Sequence, residues 1–408
     1  MIFDLIIIGG GASGLAAAIT AASMGVRHIA VIERNARVGR KILSTGNGRC
    51  NLSHTGITPE DYCGSYRPDA VLSAFGEAEN FFDMIGLCLR TDPQGRKYPY
   101  SMSATTVLDV LRESTARYGV LEFCNMSVKS MYFQDELWHL KANRELFQAP
   151  LVIFAAGGCA APQFGTDGTA WALLEAMDIP IVPPRPMLCP LLTDSSQREL
   201  RGLRVKCTAS LIREGETMHT EEGEVQFKEE GLSGICIFDL SLWVQPGRSY
   251  EVALDLIPEE DTGETLSRLY ALQAAHSGSP AAGMLRGIFH KPLARHLCRV
   301  CDVMHGMPCE ELTGEQMERL AKRIHDLRFP VRCTADYAKA QATRGGVRGD
   351  ALDENLQVRR KPGLYIVGEA VDVQAPCGGY QLHWAWSSGY TAGIHAARCL
   401  QEHGGVPI

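Results

Sequence analysis

The feature that most constrains this chain is a glycine turn set between two short apolar runs near its start. Leu5-Ile6-Ile7-Ile8 follows Asp4. It is too short for a helix and rich in β-branched residues, so it reads as a strand buried on both faces. The run stops at Gly9-Gly10-Gly11-Ala12-Ser13-Gly14, and the alanines beyond predict a helix from Leu15 to about Met24. A second strand, Ile29-Ala30-Val31-Ile32, ends on Glu33. Strand, glycine loop, helix, strand and acid in that order form the unit that holds the pyrophosphate of a dinucleotide. Gly9 lets the chain turn off the strand, and Gly11 lets bare backbone approach two phosphates. Gly14 allows the helix to lie close on the sheet, with Ala17, Ala18 and Ala21. The phosphates would then face unpaired N–H groups at the positive end of a helix dipole. Glu33, nineteen residues past Gly14, is placed to take both ribose hydroxyls of an adenosine and disfavours a 2′-phosphate.

The rest of the composition narrows the class. A chain of 408 residues is long enough for two domains or three, and its apolar and charged fractions are those of a globular protein. A net charge of −7 without blocks of like charge argues against a nucleic-acid or membrane-surface partner. The apolar start carries Asp4 and lacks a basic flank, so it does not read as a signal peptide. No apolar run reaches spanning length. Fourteen cysteines without an export signal predict reduced thiols and a cytoplasmic protein.

A second glycine-rich, cationic loop follows directly: Arg34, then Gly39-Arg40-Lys41-Ile42-Leu43-Ser44-Thr45-Gly46-Asn47-Gly48-Arg49-Cys50-Asn51. A simple NAD domain has no use for it. Arg40, Lys41 and Arg49 suit phosphate or a negative charge developing on a flavin. The string resembles the signature of the bacterial aminoacetone-oxidase-like NAD(P)/FAD-dependent oxidoreductases, a family that includes a reductase of 3-dehydro-bile acids. That resemblance implies a two-dinucleotide-fold FAD domain and extends along the chain. Gly95-Arg96-Lys97-Tyr98-Pro99 is similar to a further family segment. Ala155-Ala156-Gly157-Gly158, after the strand Leu151–Phe154, resembles the turn whose backbone passes FAD. Main chain near Val128 would touch the adenine. Thr343-Arg344-Gly345-Gly346-Val347 is similar to a family turn, and Gly368-Glu369 with Asp372 would lie by the ribityl chain. Gly379-Tyr380-Gln381-Leu382-His383-Trp384-Ala385-Trp386 resembles the C-terminal signature, whose helix N-terminus would face the flavin pyrimidine. Ser13, Gly46, Asn51, Ala156, Gly157, Gly158 and Gln381 join the glycines, Glu33 and Arg34 as expected FAD contacts. Trp384 and Trp386 read as packing.

Between these segments the pattern changes. Five prolines from Pro180 to Pro190 mark a boundary. Alternation in Val205–Leu211 and Glu224–Lys228 predicts antiparallel strands over about 191–256. Gly231-Leu232-Ser233-Gly234 resembles a family turn; it lacks hydrolase-elbow spacing, and no strand-to-helix context is evident around it. Helices are expected over 262–328, with a capping box at Thr313–Gln316 and an apolar face of Met317, Leu320, Ala321, Ile324 and Leu327. Elsewhere, helices are expected near Val71–Met84, over Ala104–Tyr118, and from Gly168 to about Met177 with Asp167 as cap. Cys298, Cys301 and Cys309 lack a fourth ligand at a usual spacing and read as buried thiols, so no metal site is expected.

The predicted architecture is α/β: a Rossmann-like FAD domain of residues 1–187 and 335–408, interrupted by an insert, 188–334, with a β part and a helical part. Substrate is expected where the insert meets the flavin ring. With no second glycine fingerprint, NAD(P)H would visit transiently. The expected reaction passes hydride from NAD(P)H through flavin N5 to a conjugated C=C of an apolar enone, with 3-oxo-Δ4,6 bile-acid intermediates implied by the resemblance. Tyr380, His383 and Cys50 are the candidate proton donors. An amine or aminoketone oxidase using oxygen, and a flavin-binding redox sensor without turnover, are the alternatives.

Overall fold

The computed structural model describes residues 1–194 and 198–402. The chain divides into two compact units, Met1–Met187 with Tyr337–Ile408 and Leu188–Asp336. In the first, five strands form one parallel sheet in the order Leu364–Ile366, Leu151–Phe154, Leu5–Ile8, Ile29–Ile32, Leu121–Phe123. The central three are buried at every residue, as strands covered on both faces must be. Helix Ala12–Ser23 packs on this sheet, and the long C-terminal helix Tyr380–Glu402 lies along it. Small residues set that contact. A Cβ at Gly389 would stand 2.1 Å from the Ser13 carbonyl oxygen, and one at Gly393 would stand 2.7 Å from that of Ala17. An antiparallel sheet of Val128–Gln134, Leu137–Ala142 and Glu145–Ala149 covers further apolar surface, with the Phe147 ring against Phe3 and Phe123.

The second unit is a closed barrel of six strands with helices. Its order is Leu191–Thr193, Gly231–Ser233, Glu216–Lys228, Arg204–Arg213, Tyr250–Asp255 and Leu327–Thr334. The last of these departs from expectation. Helix Gly314–His325, opened by the Thr313–Gln316 capping box, stops before Leu327. That residue starts a strand in which Leu327, Phe329 and Val331 point inward. Pro330 hid the alternation in the sequence; its side chain faces outward. The β part is therefore completed from beyond the helical part, and that crossing closes the barrel.

Other local expectations are corrected. Gly76, at φ 61°, divides the Val71–Met84 stretch into helices Asp69–Phe75 and Ala78–Ile85. Thr343–Val347 is not a turn but part of strand Ala342–Val347, paired with Ile181–Met187. The bulge between Val182 and Arg185 absorbs Pro183 and Pro184. The helix after Gly168 shrinks to two short turns ending at Glu175, with Asp167 accepting from the Thr169 N–H. Gly231–Ser233 does run into a helix, Ile235–Ser241. Ser233 is buried there and belongs to the barrel wall.

All fourteen cysteines are free thiols. Cys298, Cys301 and Cys309 are buried, and the Cys309 thiol donates to the His276 carbonyl. His325 bridges Asp255 (2.9 Å) and the hydroxyl of Thr265 (2.8 Å). Thr265 is wholly buried, and these bonds tie two helices to a strand. Among the described residues no helix is long and apolar enough to cross a membrane.

Candidate functional site

The first strand and first helix place the glycine loop. Gly9 turns at φ 103°, and a Cβ there would lie 2.5 Å from the Ala155 carbonyl oxygen. A Cβ on Gly14 would lie 2.0 Å from the Gly9 carbonyl oxygen, so the helix starts against its own loop. At Gly11 a Cβ would meet nothing within 4 Å: this side of the loop is open. The helix has no side-chain N-cap, which leaves its first N–H groups for an anion.

Glu33 is buried at the end of the second strand. Its carboxylate accepts from the Gly10 N–H (2.9 Å) and from the Asn35 backbone and side-chain N–H groups (2.8 and 2.7 Å). The acid thus shapes the loop: Oε1 takes both Asn35 bonds, while Oε2 takes the Gly10 N–H and keeps a lone pair for a further donor. Asn35 was missed from sequence, where it looks like a turn residue. The chain leading to Val128 runs beside this acid, with the Met126 N–H on the Glu33 carbonyl (2.9 Å) and the Asn125 N–H on that of Asn35 (2.8 Å).

Arg40, expected at phosphate, and Arg34, expected as an FAD contact, are turned toward residues 163–169. Arg34 pairs with Asp167 (2.6 Å), while Arg40 donates to the Asn35 side chain (2.8 Å) and the Gln163 carbonyl (3.2 Å). Burial works to raise the Asp167 carboxyl, but hydrogen bonds from Arg34 and Thr169 hold it below its ordinary value. Arg49 is exposed at the end of the second glycine loop, in which Gly46 adopts φ 55°.

Lys41 meets Glu369 at 2.7 Å, across 328 residues of sequence. Glu369 also accepts from the Thr343 N–H (2.8 Å), and the Thr343 hydroxyl accepts from Cys159 N–H (2.7 Å) and Ala160 N–H (3.0 Å). A Cβ at Gly158 would come within 2.4 Å of that hydroxyl and 2.7 Å of the Glu369 carboxylate. Gly157 turns at φ 76° beside half-buried Ala156. Lys41, Gly158 and Glu369 are thus one knot, and Thr343 joins it; its only sequence signal was the family-like string it opens.

Gly368 approaches Ser13 closely enough that a Cβ would lie 2.5 Å from the Ser13 hydroxyl. Its N–H reaches Ser388 (2.9 Å) and its carbonyl accepts from the Trp384 indole (3.0 Å). Trp386 bonds the Leu52 carbonyl (3.1 Å), so both tryptophans pack and brace, as expected. Asp372 is buried and taken up by the Ser65 N–H (3.0 Å) and the Gln374 amide (2.5 Å). Gln381 donates to the Ala375 carbonyl (3.2 Å).

At the far end of the cradle, Gly378 and Gly379, at φ 123° and 107°, lead into the C-terminal helix. A Cβ at Gly379 would strike the Ser53 carbonyl oxygen at 2.4 Å and the Asn51 side-chain oxygen at 2.8 Å. That Asn51 oxygen is buried and has no hydrogen-bond partner. A buried acceptor without a donor is costly, so its place beside a helix N-terminus fits a ligand with N–H or O–H groups. The open face at Gly11 and this orphan oxygen are what an extended flavin dinucleotide would use.

The three candidate proton donors differ. Cys50 is fully buried at φ 58°, and burial pushes its thiol up to about 12 against a hydrogen bond from Thr45. His383 is buried too; burial, with Lys97 nearby, lowers it to about 4, so the ring is neutral at pH 7. Its Nδ1 lies 2.8 Å from the Ser53 hydroxyl, and Phe75 stands edge-on to it. Lys97, itself buried, is held by Glu77 (3.0 Å) and Glu79 (2.8 Å). Tyr380 is half-buried in the first turn of the helix.

The parallel sheet, phosphate loop and two-segment cradle define a Rossmann-like FAD-binding oxidoreductase. Residues 3–395 match the HI0933-like protein Rossmann domain family, and the chain belongs to it. A 3-dehydro-bile acid delta(4,6)-reductase of Clostridium scindens is 32% identical over 96% of this chain and 98% of its own. A ribosomal RNA dihydrouridine synthase of Haemophilus influenzae is 28% identical over 96% and 98%. A solved 3-ketosteroid delta1-dehydrogenase of Sterolibacterium denitrificans superposes with a TM-score of 0.49 at 15% identity, over 98% of this chain and 100% of that one.

Proposed function

We propose that this oxidoreductase reduces a carbon–carbon double bond conjugated to a carbonyl, in a small apolar ring compound of the 3-oxo bile-acid class. The observation that carries this reading is the full-length relative that bears that reductase name. FAD, when bound, supplies the hydride, and NAD(P)H is the donor that reloads it. Gly9, Gly11, Ser13 and Gly14 would hold the pyrophosphate and Glu33 the ribose, with Val128 by the adenine. Arg34 and Arg40 would line the loop that flanks the phosphates, and Arg49 is the exposed cation at its end. Lys41, Ala156, Gly157, Gly158, Gly368, Glu369 and Asp372 would shape the middle of the cradle. Gly46, Asn51, Gly379, Tyr380 and Gln381 would face the flavin end.

As hydride adds to the carbon β to the carbonyl, the α-carbon takes the phenolic proton of Tyr380, and solvent returns one to the phenolate. Tyr380 is preferred because Cys50 is sealed from solvent and His383 is neutral and engaged with Ser53.

The relative named for ribosomal RNA favours a second reading, since making dihydrouridine also saturates a C=C conjugated to a carbonyl. Charge weighs against RNA: the chain is −7, and exposed Arg198, Arg201, Arg204 and Arg328 each sit on a carboxylate. Anaerobic holoprotein, bleached by NADH or NADPH, is mixed with a 3-oxo-4,6-diene bile acid or with uridine-containing RNA. Reoxidation by the dienone is expected, slower by about 100-fold in Tyr380→Phe. Reoxidation by RNA alone would replace the substrate. Peroxide released from an aminoketone in air, with no enone turnover, would make the protein an oxidase.

A further inference from the structure

We propose that His54, which carries no expected role in the sequence, is the positioning residue of Tyr380. The inference rests on the reading of Tyr380 as proton donor. Strand Ser53–His54 pairs antiparallel with Arg96–Pro99, and this pair carries the imidazole onto the phenol. The two rings stack with centroids 5.1 Å apart and planes 18° from parallel. The His54 Nδ1 lies 2.8 Å from the Thr55 carbonyl oxygen. A carbonyl only accepts, so Nδ1 carries the hydrogen and the imidazole is locked in rotation.

Two glycines leave room for the pair. A Cβ at Gly95 would stand 2.7 Å from the His54 Cε1, and one at Gly378 would stand 3.3 Å from the Tyr380 ring. Tyr62 adds a second ring: it is edge-on to Tyr380 at 6.4 Å, and its hydroxyl donates to the Tyr380 carbonyl (3.0 Å). Buried His383 holds Ser53 by its hydroxyl, one residue before His54. The imidazole expected to give the proton therefore anchors the strand that carries a second imidazole, half-buried and laid flat on the donor. A phenol must present its O–H along one line to the α-carbon, and a stacked ring on one face with an edge-on ring beside it fixes that plane.

The test uses the holoprotein in two arms. With the dienone probe, His54→Ala lowers kcat about 10-fold with KM held within about 2-fold, because orientation and not binding is lost. His54→Phe, which keeps a flat ring, returns kcat to within about 3-fold of the parent. In a Tyr380→Phe background, His54→Ala adds no further loss. An additive loss, or a His54→Phe variant as slow as His54→Ala, overturns the proposal. The second arm is NMR of 13Cε1-labelled histidine, with the His54 signal assigned by its disappearance in His54→Phe. Stacking places that signal upfield, and Tyr380→Leu moves it back toward the value of a solvated imidazole. A signal that Tyr380→Leu leaves in place overturns the pairing. A parent protein that no enone reoxidises sinks the proposed reaction alone, and the NMR arm still decides the pair.

Discussion

The two ends of the cradle are built in opposite ways. At the Gly9–Glu33 end the shape is made mostly by backbone: glycines where a Cβ would collide, and a helix N-terminus that no side chain caps. At the Asn51–His54 and Tyr380–His383 end it is made by side chains from distant parts of the chain, stacked or hydrogen-bonded in pairs. A backbone site leaves no room for a side chain where its loop folds on itself, at Gly9 and Gly14, and leans on a single side chain, Glu33. A side-chain site tolerates substitution of shape yet responds to protonation and ring geometry. The difference can be pressed experimentally.

The largest effect is expected at the backbone end. Gly14→Val puts a Cβ 2.0 Å from the Gly9 carbonyl oxygen, against backbone that cannot move aside, so the expected outcome is loss of soluble flavin-bearing protein. Flavin absorbance relative to protein after gel filtration checks it; a yellow, folded variant would break the contrast. At the side-chain end the expected effect is graded by pH. His383 titrates near 4 in the fold and near 6.5 unfolded, so the unfolded chain binds the proton first as pH falls. Its contribution is fully present above about 6.5 and is lost down to about 4, about 3 kcal/mol in all. Urea unfolding at pH 7 and pH 4.5 should show a steeper loss in the parent than in His383→Gln, and equal slopes would refute the assignment. The smallest change is expected midway along the cradle. Thr343→Val strips the acceptor from the Cys159 and Ala160 N–H groups and should cost about 1–3 kcal/mol in the same assay.

The contrast also explains what could be read in the sequence. Gly9, Gly14 and Glu33 announce themselves because backbone demands select one residue type at fixed spacing. The parallel strands do so because burial on both faces leaves unbroken apolar runs. The stack of His54 on Tyr380 joins residues 326 positions apart, and no local pattern marks it. Arg34 and Arg40 stood out as cofactor contacts because charge is visible in a sequence, while Asp167 and Gln163, which they also meet, are more than a hundred positions away and could not be read. His383 looked like an acid because its burial is a property of the fold. The barrel was half legible: alternation showed in Val205–Leu211, but the strand Leu327–Thr334 was masked by Pro330 and by the helix running up to it.

The seating of Gly389 and Gly393 on the first helix has a consequence for how the protein is made. The unit that begins the chain also ends it, since strand Leu364–Ile366 and helix Tyr380–Glu402 complete a sheet and helix layer begun at Leu5 and Ala12. On a ribosome the middle of the chain therefore has all its partners before the beginning does. The barrel unit can close while the first helix and the outer edge of strand Leu151–Phe154 still wait for Tyr380–Glu402 and Leu364–Ile366.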